Sequence, residues 1–224
     1  MGENFADLRK RMVDGQLRTR EVTDPRLIAA VLETPRERFV PGAMRGLAYA
    51  DRDIDVSELG EEGAQRYLLE PMPLTRLIQL ADIQESDFVL EIGSATGYAT
   101  AILGRIAEGV LGLEADSGLA SVAERELSEL GIDSATIVTG PLNEGYASQA
   151  PYDVIVVNGA IARVPDAFVD QLREGGRLVA IIGGAPMGRA WLYHKVNGDL
   201  SGRPVFDAAV PDLPGFAREP DFVF

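Results

Sequence analysis

Cysteine is absent from the 224 residues. That excludes disulfides, thiol nucleophiles, thiolate metal sites and iron–sulfur clusters. Histidine occurs once, as His194, so a multi-histidine metal centre is excluded too and no metal is expected. A lone histidine in the strand-like stretch Trp191–Lys195 reads as a structural residue. No apolar run approaches the ~18 residues that a membrane span needs. Residues Met1–Arg11 are charged and lack an apolar segment, which predicts no secretory signal, no membrane association and a cytoplasmic location. Basic side chains are also scarce: 21 Lys+Arg stand against 35 Asp+Glu, a net charge of −14. A surface that acidic repels phosphate backbones, so nucleic acid is not an expected partner. The densest basic group, Arg9, Lys10, Arg11, Arg18 and Arg20, reads as a solvated helix face. Nothing in the sequence specifies an oligomeric state.

What is present is a chain 46% hydrophobic and 25% charged, the composition of a globular protein. Its length suits a single domain over 1–224 with three textures. Residues 1–80 are helical with irregular connections and are expected to cap a cleft. Residues 81–184 alternate strand-like and helix-like runs. Residues 185–224 are expected to add antiparallel edge strands. Asp24-Pro25 has the form of a helix N-cap with proline at the first helical position. The charge-dense stretch Asp51–Arg66 reads as a surface loop, and Pro73–Ala81 as a helix.

The middle region gives the fold class. Short apolar runs at Asp87–Ile92, Val110–Glu114, Thr136–Thr139, Tyr152–Asn158 and Gly176–Ile182 are separated by helical patterns at Gly97–Ala107, Leu119–Leu130 and Asp166–Leu172. Such alternation predicts an α/β, Rossmann-like fold with a mostly parallel sheet covered on both faces. Further strands are expected at Trp191–Val196 and Val205–Val210.

The chemistry is expected where the first strand meets its helix, at Glu91, Gly93, Ser94, Ala95, Thr96, Gly97 and Tyr98. Ligands of open α/β sheets bind outside the carboxyl ends of the strands. Glu114 ends the next strand, 21 residues after Gly93 (114 − 93), the spacing at which an acid accepts from ribose hydroxyls. Ala115 lies beside it. A dinucleotide site needs a small residue where Tyr98 stands, and its pyrophosphate is ill served by the acid at Glu91. S-adenosylmethionine (AdoMet) carries a sulfonium and an ammonium, which an acidic strand end suits. AdoMet is therefore the expected cofactor, with NAD disfavoured.

Several segments resemble the protein-L-isoaspartate O-methyltransferases: Pro35-Arg36-Glu37-Arg38-Phe39-Val40-Pro41, Ala48-Tyr49 with Asp51, Val89–Gly93 with Gly97-Tyr98, Tyr152–Val156, and Gln171-Leu172 followed by Gly175–Leu178. The resemblance covers about residues 12–184. It implies a class I AdoMet methyltransferase fold and methyl transfer to the carboxylate of isoaspartyl residues in damaged proteins. Tyr49 and Asp51 are implied to face the active-site cleft. The family's active-site hydroxyl is replaced by Leu69, followed by Glu70. Its middle loop glycine is replaced by Ala95, whose extra methyl is tolerable at negative φ. Its Gly-Asp on the adenine side becomes Gly140-Pro141, followed by Leu142, and its small-residue stretch after the fourth strand becomes Asn158-Gly159-Ala160. An isoaspartyl methyltransferase is the first reading; a divergent AdoMet-binding member with another acceptor, or none, is the alternative.

Overall fold

The computed structural model describes residues 4–61, 63 and 65–216. Five parallel strands follow one another as the sequence pattern predicts: β3 (Phe88–Ile92), β4 (Gly109–Glu114), β5 (Ala135–Thr139), β6 (Tyr152–Ile161) and β7 (Leu172–Ile182). Two short strands precede them, β1 (Ile54–Asp55) and β2 (Tyr67–Leu68), paired with each other. Antiparallel β8 (Arg189–Val196) and β9 (Asp199–Asp207) complete a seven-stranded sheet in the order β5-β4-β3-β6-β7-β8-β9. The chain leaves β3 toward β4 and β5, then returns to β6 on the other side. The order therefore reverses between β3 and β6, and the strand ends there splay into the crevice where doubly wound folds hold ligands.

Alternate residues of each parallel strand enter opposite apolar layers, as the two-residue period of a strand requires. Val89, Val154, Val156, Val179 and Ile181 face one layer; Leu90, Ile92, Ile155, Val157, Leu178 and Ala180 face the other. The first layer is closed by α4 (Tyr98–Leu103), α5 (Ser117–Glu129) and the N-terminal helices α1 (Phe5–Met12), α2 (Pro25–Glu33) and α3 (Pro71–Leu80). Met12, Leu17, Leu27, Val31, Leu74 and Leu77 are essentially inaccessible to solvent within it. The helices of the N-terminal region thus share the core of the sheet. The second layer is covered by α6 (Asp166–Gln171), through Phe168, and by Leu213 from the tail. Asp24 caps α2 as expected: its Oδ1 accepts from the Arg26 amide at 2.8 Å, a cap whose contribution is about 1 kcal/mol.

Two expectations are corrected. The last strand is Asp199–Asp207, earlier than Val205–Val210, because Asn197-Gly198, at φ 55° and 85°, makes a tight hairpin with β8. Asp51–Arg66 is not simply a surface loop. Ile54 and Val56 are fully buried, and Arg66 turns inward with 3% of its side-chain surface exposed. His194 lies exposed on β8 opposite Arg177, in the middle of β7.

Candidate functional site

The turn after β3 is built from backbone requirements. The amides of Gly93 and Ser94 both donate to the Leu113 carbonyl, at 2.8 and 3.2 Å. Gly97, at φ 90°, begins α4, and a Cβ there would lie 2.8 Å from Ala123 Cβ of α5. Only glycine permits both the left-handed backbone and that approach. Ala95 departs from its expected negative φ: it sits at 48°, a conformation that costs an L-residue about 1–2 kcal/mol. What holds it there is visible. Its amide donates to Glu114 Oε2 at 2.6 Å. Thr96 ties the turn to the N-terminal segment by donating from Oγ1 to the Phe39 carbonyl at 2.7 Å.

Two buried carboxylates flank this turn. Glu91, inaccessible to solvent, accepts from Thr100 Oγ1 at 2.6 Å and from Asn158 Nδ2 at 2.8 Å. Burial pushes its carboxyl up to about 7, against the opposing pull of those two hydrogen bonds. Glu114 is equally buried and accepts from the amides of Ala115 (2.9 Å) and Asp116 (3.2 Å) as well as Ala95. Its charge is met by Arg66, whose Nε and Nη2 reach Oε1 and Oε2 at 3.2 and 2.6 Å. The Asp116 carboxylate caps α5 at the Leu119 amide and accepts from the Glu61 amide, each at 3.0 Å. The segment before β2 is thereby laid across the end of β4.

Other candidates gather less tightly. Ala115 and Asn158 adjoin the two acids. Gly140 donates its amide to the Glu114 carbonyl at 2.9 Å, and Pro141 starts a 3-10 turn, Leu142–Glu144, with Leu142 buried in the second apolar layer. The ring of Tyr98 packs edge-on to Phe39, with Arg36 4.9 Å above it. Ser94 Oγ and Asn158 Oδ1 are buried yet have no hydrogen-bond partner among the described residues. Buried polar atoms without partners are uncommon, and these two follow the paired residues Ile92 and Val157 at the ends of β3 and β6.

Of the four residues implied to act on the acceptor, two meet. The Asp51 carboxyl hydrogen-bonds Glu70, and Asp53 accepts from the Glu70 amide at 2.7 Å. Burial, and then the bond to Asp51, push the Glu70 carboxyl up to about 7. The Tyr49 hydroxyl is engaged elsewhere: it donates to Glu37 and accepts from Arg9 Nε at 2.9 Å. Leu69 is 2% exposed and belongs to the first apolar layer. Sequence reasoning assigned no role to Arg36 or Arg66. Arg36, fully buried, donates to the carbonyls of Ala48 and Leu69, both at 2.7 Å, and so staples the stretch before Tyr49 to the one before Glu70. Its signal was its place in the PRERFVP motif. Arg66 carried no local signal beyond being a cation at the end of an acidic stretch.

The comparisons with known proteins agree with this architecture. A family model described as protein-L-isoaspartate(D-aspartate) O-methyltransferase (PCMT) matches residues 8–208. The protein-L-isoaspartate O-methyltransferase of Koribacter versatilis is 37% identical over 94% of this chain and 92% of its own length. That of Rhodopseudomonas palustris is 38% identical over 77% of this chain and 76% of its own. A solved protein-L-isoaspartate O-methyltransferase superposes with a TM-score of 0.78 at 25% identity, over 94% of this chain and 66% of that one. The beta-aspartate methyltransferase (PCMT) from Plasmodium falciparum, in complex with S-adenosyl-L-homocysteine, superposes with a TM-score of 0.72 at 19% identity, over 94% and 98%.

Proposed function

Since the chain belongs to the protein-L-isoaspartate(D-aspartate) O-methyltransferase family, we propose that it is an AdoMet-dependent methyltransferase that esterifies the carboxylate of isoaspartyl residues in proteins and peptides. The observation that carries the cofactor reading is the pair of unpartnered polar atoms, Ser94 Oγ and Asn158 Oδ1, beside a glycine turn bracketed by Glu91 and Glu114. These groups fit AdoMet: Glu114 for the ribose hydroxyls, Glu91 for the cationic amino acid end, the Gly93–Gly97 turn for close backbone approach. When bound, the cofactor supplies an activated methyl group. The acceptor carboxylate is already ionised near pH 7, so the chain need not supply a general base. Its task is to hold the carboxylate in line and to exclude water. Repair of damaged protein in the cytoplasm, by a single domain in which residues 1–80 cap the cleft, completes the reading. No described helix is long and apolar enough to cross a membrane.

Cofactor affinity should depend on pH through Glu91. A carboxyl raised to about 7 is mostly protonated at pH 6 and mostly ionised at pH 8, and only the ionised form attracts the ligand's ammonium. S-adenosylhomocysteine affinity measured by calorimetry is therefore expected to rise about tenfold from pH 6 to pH 8. Glu91→Gln should flatten the profile. An affinity constant across this range would show that Glu91 does not meet the ligand's charge.

The direct test is methyl ester formation on an isoaspartyl peptide. Leu69 offers no donor to the acceptor carboxylate, and a missing hydrogen bond to a charged group is worth about 1.5–3 kcal/mol. Turnover about tenfold to 150-fold below that of a hydroxyl-bearing relative is expected if the loss falls wholly in the transition state. Equal turnover would show that another group holds the carboxylate. Leu69 and Pro141 favour a second reading, a family member with a different acceptor; AdoMet binding without isoaspartyl methylation would select it.

A further inference from the structure

Glu114 is the acid at ribose spacing, yet both of its oxygens already hold Arg66 in a bidentate pair. The same guanidinium extends over the glycine turn: a Cβ on Gly93 would lie 3.2 Å from Arg66 Nη2 and 2.8 Å from Leu213 Cδ2. Leu213 also covers Gly159 across the crevice, where a Cβ would come within 2.5 Å of its Cγ. Its position is fixed by backbone pairing with β6. The Leu213 amide donates to the Ala160 carbonyl at 2.8 Å, and the Ala160 amide to the Pro211 carbonyl at 2.9 Å. The two glycines that leave room for a ligand between β3 and β6 therefore have that room filled, by one side chain from the segment before β2 and one from the tail.

We propose that Arg66 and Leu213 together form a stopper of the AdoMet cleft, so that the cofactor enters only when ribose hydroxyls replace the guanidinium on Glu114 and Leu213 withdraws from Gly93 and Gly159. The proposal rests on AdoMet as the cofactor and is independent of the acceptor. Three features make Arg66 removable without loss of the site. Glu114 keeps three backbone donors, from Ala95, Ala115 and Asp116, when the guanidinium leaves. The ribose hydroxyls are donors of the kind that Glu114 needs in exchange. The backbone of the stretch around Arg66 is tethered by part-buried bonds, such as the Arg66 amide donating to Ser57 Oγ at 2.8 Å, and such segments open locally. A closed population of this kind lowers the apparent affinity by the fraction of molecules that are open. The stopper thus sets how much cofactor the protein needs before it is loaded.

The test uses the full chain and S-adenosylhomocysteine, with affinity read by calorimetry and amide hydrogen exchange followed at Ala160 and Leu213. Arg66→Gln is expected to bind the ligand about tenfold more tightly than wild type, and Leu213→Ala more tightly by a smaller factor. In wild type, saturating ligand is expected to speed exchange at the Ala160 and Leu213 amides while slowing it in β3 and β4. Unchanged or weaker binding by Arg66→Gln would overturn the proposal and make Arg66 a fixed wall of the pocket. Should that variant not fold, Leu213→Ala decides by the same criterion, together with the exchange pattern; slower exchange at both tail amides would overturn the proposal. Ligand binding as described, without methylation of an isoaspartyl peptide, would leave the stopper standing and count only against the proposed acceptor.

Discussion

Glu114→Ala is expected to destabilise the protein by about 3–5 kcal/mol, the cost of stranding one partner of a buried ion pair. Arg66 would be left with its guanidinium 3% exposed and no carboxylate within reach among the described contacts. The amides of Ala95, Ala115 and Asp116 would lose their acceptor at the same time. For a chain of this length the expected fall in Tm is about 6–20 °C, measured by urea and thermal unfolding without ligand. The informative control is the pair Arg66→Met with Glu114→Gln. It removes both charges and keeps one carbonyl, enough for the Ala115 and Asp116 amides that share Oε1 but not also for the Ala95 amide on Oε2, and replacing a whole buried pair is often close to neutral. Part of the loss should therefore be recovered. A loss below about 1 kcal/mol in Glu114→Ala would mean that water reaches the guanidinium and that the pair is not a buried one.

A chain beginning at Asp82 is expected not to fold at all. It keeps every strand of the seven-stranded sheet, but it uncovers the face made by Val89, Val154, Val156, Val179 and Ile181. Each large apolar side chain left exposed costs about 1.5–3 kcal/mol, so losing the cover of α1, α2 and α3 competes with the 5–15 kcal/mol that holds an ordinary domain together. It also removes Arg36, which staples two segments of the cap, and the Phe39 carbonyl that accepts from Thr96 of the glycine turn. The truncated chain should show no cooperative thermal transition and no binding of S-adenosylhomocysteine. A soluble fragment with a sharp transition would show that the cap is a separable unit.

Much of this architecture was legible in local pattern. The strands from Asp87 to Ile182 follow from short apolar runs alternating with helical ones, because a strand buried on both faces has no polar side to interrupt it. The glycine turn after β3 is read in the same way, from Gly93 and Gly97 at the end of an apolar run. The acid at Glu114 is found by counting. The Asn197-Gly198 dipeptide also carries a local hairpin signal, and it sets β9 at Asp199–Asp207, earlier than the apolar run Val205–Val210 suggests.

The rest depends on residues that are distant in sequence. Asp51–Arg66 reads as a solvated loop because its charges dominate its composition, yet Ile54, Val56 and Arg66 are buried. The partner that makes Arg66 tolerable inside lies 48 residues away. Ala95 takes a positive φ because Glu114 holds its amide, which no local propensity reports. Leu213 covers Gly93 and Gly159 only because the tail pairs with the end of β6. Local spacing and hydrophobic period therefore determined the fold class and the place of the glycine turn, since those follow from interactions within a strand, a helix or a turn, while the family was legible only through the resemblance of segments such as Pro35–Pro41. Which side chains stand in that cleft, and which atoms Glu114 now holds, was decided by the tertiary structure alone, because a buried charge is stable only against a partner that the chain brings from elsewhere.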